Sequence, residues 1–186
     1  MIDRDAHVAF GQTQLLYKNL SLGLIGTLVI AGMFAYAMIG HVPSMVAVGW
    51  FTTMVAVCGA RFATVYAFNA ARPDLVAAPK WLRIFEMGSL ASGVVWALAA
   101  TFMFPAEDLL RQVFLGFILA CMSAGAIGTL GVHLRAYVLF LIPTMIPYAT
   151  RIFATGGELQ LFMGAVFAFV FFVLLGSARN FSNATK

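Results

Sequence analysis

Few residues in this chain have side chains and placements suited to chemistry. Glu86 is the only acid inside one of its long apolar stretches, and Arg61 is a base within the preceding stretch. An ionisable side chain surrounded by hydrocarbon is costly and marks a functional position by default. The two residues lie in neighbouring segments at similar depth, so an Arg61–Glu86 ion pair is expected. It would act either as a proton or ligand switch, or as snorkelling side chains that fix helix register. The histidines are His7, His41 and His133. A bis-histidine haem site needs two of them facing each other at one depth. His41 has no histidine on its side and the other two are surface-placed, so haem would require Met as second ligand and no cofactor is expected. Cys58 and Cys121 sit in apolar stretches without CxxC spacing and read as small buried hydrophobes, not as a metal or disulfide pair. No HExxH, GxSxG, Walker or GxGxxG arrangement occurs in a loop able to use it, so no catalytic residue or metal ligand is assigned.

The elements that must position these groups follow from composition. Of 186 residues, 62% are hydrophobic and 10% charged, with a mean hydropathy of +0.96. A soluble domain is nearer half apolar and a quarter charged, so lipid is the solvent for most of this chain. A span needs about 20 mainly apolar residues, and six stretches qualify: 20–40, 45–68, 84–104, 113–132, 136–154 and 160–178. Pro and Gly punctuation separates them at Gly40–Pro43, Ala71–Asp74, Phe104–Asp108 and Thr155–Glu158. At this hydropathy only helices satisfy their own backbone. The expected fold is therefore an all-α, polytopic bundle of six transmembrane helices. Residues 1–19 read as a juxtamembrane segment that can lie along the inner surface, and residues 179–186 as the start of a cytoplasmic helix.

Orientation follows from the basic residues. Nine of the eleven Lys and Arg residues fall on one side: Arg4, Lys18, Arg61, Arg72, Lys80, Arg83, Arg135, Arg179 and Lys186. Only Arg111 and Arg151 fall on the other. The richer side is expected to be cytoplasmic, with both termini inside. The net charge of +4 is scattered singly, without a basic run, and argues against nucleic acid.

Small residues mark where helices approach closely. Gly116, Ala120, Ala124 and Gly128 recur every fourth position in the fourth span, and Ser89, Gly93 and Ala97 do so in the third. Such stripes serve either packing within one bundle or a subunit contact. Pro143 and Pro147 share one face of the fifth span and free the carbonyls of Leu139 and Pro143, with Thr144 and Thr150 available to compensate. The outer connections are too short for a ligand domain. A ligand is therefore expected within the bundle, an apolar or amphipathic small molecule or a lipid. Its walls are expected at Ser89, Ser92, Trp96, Ala120, Ala124, Pro143 and Pro147.

Two stretches carry a family resemblance. The first is Trp81-Leu82-Arg83-Ile84-Phe85, then Gly88-Ser89-Leu90-Ala91-Ser92-Gly93, then Trp96-Ala97-Leu98-Ala99-Ala100 and Phe104-Pro105. The second is Gln112-Val113-Phe114-Leu115, then Ala120-Cys121-Met122-Ser123-Ala124-Gly125-Ala126, then Tyr137 to Pro147. Their order and spacing resemble the MASE-like multi-span N-terminal membrane sensor regions of bacterial diguanylate cyclases and hybrid histidine kinases. Cys121 stands where a small residue such as Gly is expected. The resemblance implies a non-enzymatic sensory input module in a bacterial inner membrane. It further implies a homodimer that biases a cytoplasmic cyclic di-GMP or two-component output domain, with that domain absent from these residues. The competing readings are a small transporter or channel, and a haem- or quinone-binding redox module. Internal repeats, which an inverted-repeat transporter would carry, are not evident.

Overall fold

The computed structural model describes the backbone of residues 2–184 and the side chains of residues 10–184. Within them the chain forms six helices joined by short turns: α1 (Ile2–Met38), α2 (Ser44–Ala71), α3 (Ala78–Phe102), α4 (Leu109–Leu130), α5 (Leu134–Ala154) and α6 (Glu158–Ala184). All six are long and apolar enough to cross a membrane, the first counted from Phe10. Their outward faces carry Leu22, Tyr36, Met45, Phe117, Phe162 and Phe169, all exposed. So much apolar surface is stable only against lipid, and the chain is a multi-pass membrane protein. Six successive crossings return the chain to the end of the bundle where it began, here called the termini end.

The helices form two mutually packed triplets, α1–α2–α3 and α4–α5–α6, joined by a dense α3–α5 contact and by α1–α4. α3 is the most enclosed element: 50% of its most apolar window is buried, against 22% for α6. Exchanging the triplets would require an α2–α6 contact to match α3–α5, and no comparable one exists. The lack of repeats in the sequence is thus matched by an asymmetric bundle.

In lipid, helices gain little by hiding apolar surface from each other, so association depends on close packing. The small residues supply it. A Cβ added at Gly93 would lie 2.6 Å from the Phe140 carbonyl oxygen and 2.7 Å from Pro143 Cγ. Pro143 thus seats its ring in the notch of α3. The bend-prone face of α5 is a packing face, and Thr144 donates its hydroxyl to the Phe140 carbonyl at 2.7 Å. Gly116 makes a matching notch on α4 for Tyr148 of α5, whose hydroxyl donates to the Gln112 carbonyl at 2.8 Å. The lower half of the α4 stripe is different. Ala124 and Gly128 are exposed, and nothing lies within 4 Å of a Cβ built on Gly128.

The expected segment at 1–19 is corrected over its described part. α1 is one continuous helix, and Gln12, Thr13, Leu16 and Tyr17 are buried inside the bundle instead of lying along its surface. Tyr17 explains the change. It stacks on Phe68 at 4.1 Å, meets Trp81 and Phe85 edge-on, and donates its hydroxyl to the Trp81 carbonyl. Asp3, Arg4, Asp5, His7 and Lys186, used in the charge and histidine arguments, lie outside the residues whose side chains are described.

Candidate functional site

Arg61 is 7% exposed, and its guanidinium sits in the middle of the bundle. Nη1 donates to Ser92 Oγ at 2.9 Å and Nη2 to Ser89 Oγ at 3.4 Å. Ser92 lies about 21 Å from the Ala78 end of α3 and about 15 Å from its Phe102 end, at 1.5 Å per residue. The charge is therefore near mid-depth of a hydrocarbon layer about 30 Å thick. Each serine hydroxyl also donates to the carbonyl one turn back, Ser89 to Phe85 and Ser92 to Gly88, both at 3.1 Å. Among the described residues no carboxylate lies within ion-pair distance of Arg61.

Two aromatic layers enclose this charge. On the termini side, Phe85 lies under the guanidinium with its ring centre 5.4 Å away, backed by Tyr17, Phe68 and Trp81. On the other side are Trp50, Trp96 and Phe34, mutually in ring contact, with Phe114 against Phe34. Trp50 Nε1 donates to the Val95 carbonyl at 2.6 Å. Trp96 is fully buried, and its Nε1 has no acceptor among the described residues.

The expected Arg61–Glu86 pair is not formed. Glu86 instead accepts from His133 Nε2 at 3.0 Å and lies 3.6 Å from Arg135 Nε. The carboxylate can only accept, so the imidazole donates. The reason for the divergence is helix polarity. Side chains lean toward the N-terminus of their own helix. α3 begins at the termini end and α2 begins at the opposite end, so from similar depth Glu86 reaches outward to the α4–α5 turn and Arg61 reaches inward to Ser92. His133 and Arg135 were missed as partners. Part of their signal was present, since the basic-residue count already put Arg135, two residues from His133, on the same side as Glu86.

The expected ligand walls are not one cavity either. Ser89 and Ser92 face Arg61, Trp96 belongs to the aromatic layer, and Pro143 fills the Gly93 notch. Ala124 is exposed and Pro147 is half-buried on α5. Ala120 alone of the seven lines the lateral cleft between α4 and α6, about 400 Å³ and almost wholly apolar, with Tyr148, Met163 and Phe167. A second lateral cleft, about 250 Å³, opens between α2 and α3 and contains Arg61, Thr64, Phe85, Gly88 and Ala91. Neither Cys58, which is buried in α2, nor Cys121, which is exposed on α4, pairs with another cysteine. No group of three or more His, Cys, Asp or Glu residues able to hold a metal occurs among the described residues.

At the termini end the polar contacts form a chain between elements. Glu86 of α3 joins His133 and Arg135 at the start of α5, and Ser182, near the end of α6, donates to the Val132 carbonyl in the same turn at 3.4 Å. The α4–α5 turn thus touches both the central helix and the last one. Compared with known proteins, the chain matches no family model, no curated protein and no solved structure, so the functional reading rests on this geometry.

Proposed function

We propose that this chain is a membrane-embedded sensory input module. It would bind a small amphipathic molecule in the bundle and pass the resulting change to a cytoplasmic output domain attached after α6. The observation that carries this reading is the α4–α5 turn, held by Glu86 on one side and by Ser182 on the other. A shift of α3 against α2 moves Glu86, Glu86 drags His133 and Arg135, and the turn moves the end of α6. A two-state packing of this kind is the minimum that a transmitted signal requires. The family resemblance points the same way and adds the inner membrane of a bacterium, a homodimer, and a diguanylate cyclase or histidine kinase as the output. The exposed Ala124–Gly128 face of α4 is the natural subunit contact.

A transporter needs a polar route, and the polar groups here are blocked on both sides. Arg61, Ser89 and Ser92 are capped by Trp50 and Trp96 toward one end and by Phe85 and Tyr17 toward the other. That favours a static site over a path.

Two experiments test the module. With Cys58 and Cys121 replaced by alanine, a cysteine at Glu107 should label from outside intact cells, and a reporter after Lys186 should be cytoplasmic. Labelling at Glu107 only after the inner face is opened would reverse the topology. Fused to a cyclase output, the chain should make cyclic di-GMP production respond to added amphiphile. Glu86→Gln keeps a bond to His133 but loses the charge, so it should cost only about 1 kcal/mol of stability. The same variant should lock the output at one level. An output indifferent to amphiphile in the unsubstituted chain sinks the reading.

A further inference from the structure

We infer that the cleft between α2 and α3 binds a single-chain amphiphile by its carboxylate, with Arg61 as the anion-binding group. This deepens the input-module reading by naming its ligand, and it rests on that reading only for the consequence of binding. Three independent observations support it. The first is charge: Arg61 is more than nine-tenths buried at mid-depth and faces hydroxyls and an aromatic ring, with no carboxylate beside it among the described residues. A guanidinium offers five N–H donors in a fork that fits a carboxylate edge, and two of these are used by the serines.

The second observation is access. The cleft of about 250 Å³ has Arg61 on its wall and opens laterally past the exposed Met87 and Ala60. Gly88 keeps it open, because a Cβ there would lie 3.0 Å from Arg61 Nε. Apart from Thr64, whose hydroxyl donates to the Arg61 carbonyl, the rest of the lining, including Leu20, Val57 and Ile84, is apolar and suits an alkyl chain. Pockets that pair one oriented charge with apolar walls are the usual form of a small-molecule site.

The third observation is depth, which selects among anionic lipids. Ser92 lies about 15 Å from the nearer end of α3 at 1.5 Å per residue. A phospholipid phosphate carries a permanent charge and two chains, and reaching Arg61 would drag its glycerol far below the interface. A long-chain carboxylic acid dissolves in hydrocarbon in its neutral form and can reach that level.

The test uses the full chain in phosphatidylcholine nanodiscs, with quenching of its three tryptophans as readout. 9,10-Dibromostearate should quench saturably, whereas its methyl ester should quench only as bulk lipid does. This comparison needs no variant. Arg61→Gln should weaken the saturable component about 10- to 100-fold, as expected for loss of a hydrogen bond to a charged group. Arg61→Lys should retain part of it. Ala91→Phe, which leaves the charge intact and fills the cleft, should abolish it even if Arg61→Gln fails to fold. Equal quenching by acid and ester overturns the proposal. So does saturable quenching by brominated phosphatidylglycerol in place of the acid, or unchanged affinity in a folded Arg61→Gln protein. Acid-selective binding that leaves a fused output unchanged would remove the input-module reading and keep the site. An output that responds without acid-selective binding would do the reverse.

Discussion

Gly93→Leu should prevent the bundle from closing. The α3–α5 contact is the densest in the molecule, and at Gly93 the two backbones approach so closely that one added carbon meets the Phe140 carbonyl and the Pro143 ring at 2.6 and 2.7 Å. Neither neighbour can swing aside. The carbonyl belongs to a helix, and the proline ring is fixed to the backbone at two points. Forcing atoms into a packed core costs about 1–3 kcal/mol for a modest addition and more when the obstacle is main chain. Gly93→Ala should therefore lower the melting temperature in detergent by several degrees, at about 2–4 °C per kcal/mol for a chain of this size. The control is Gly59→Ala in α2, where nothing lies within 4 Å of an added Cβ. There the gain in helix propensity, up to about 1 kcal/mol, should leave stability unchanged or raised. If the two alanine variants melt alike, the α3–α5 notch is not what holds the triplets together.

These expectations show which parts of the fold could be read from residue order and which could not. Hydropathy located all six helices, because span length and apolar content are one-dimensional properties. Three boundaries moved most. α1 begins well before Leu20, α3 begins at Ala78, and α6 continues to Ala184. The early part of the chain reads as a surface-lying segment because Asp3, Arg4, Asp5, His7 and Lys18 stand among its apolar residues, yet Gln12 and Thr13 face into the bundle. Rotation about a helix axis was the information lacking. It decided that Glu86 would meet His133 and Arg135, that Arg61 would meet two serines, and that the small-residue stripe of α4 would be split between Tyr148 and the outer surface of the bundle. The expected ligand walls are residues whose size or kinks leave room along a helix. In the folded chain that room is mostly filled, by Pro143 at Gly93 and by Tyr148 at Gly116. Ser89 and Ser92, expected as ligand walls, accept from the arginine instead.

Arg61→Met should make the ligand-free protein more stable while removing its response to a long-chain carboxylate. A guanidinium at mid-depth has lost its hydration and, among the described residues, recovers two hydroxyl contacts and one ring face. Burying charge without an opposite charge is unfavourable, and replacing buried ionic groups by apolar ones of similar volume can stabilise by about 1–4 kcal/mol. Methionine is unbranched and adaptable enough to occupy the path of the arginine stem. Its introduction leaves no orphaned partner, because Ser89 and Ser92 keep their bonds to the Phe85 and Gly88 carbonyls. Thermal melts in uncharged detergent should therefore place Arg61→Met a few degrees above the unsubstituted chain. Adding oleate should raise the melting temperature of the latter and leave the variant where it was, since only a ligand that binds the folded state shifts the midpoint. A variant that melts well below the parent would mean that the arginine holds α2 and α3 together. A charge that lowers stability when empty and raises it when occupied is what a binding group looks like, and the two melts read both signs from the same residue.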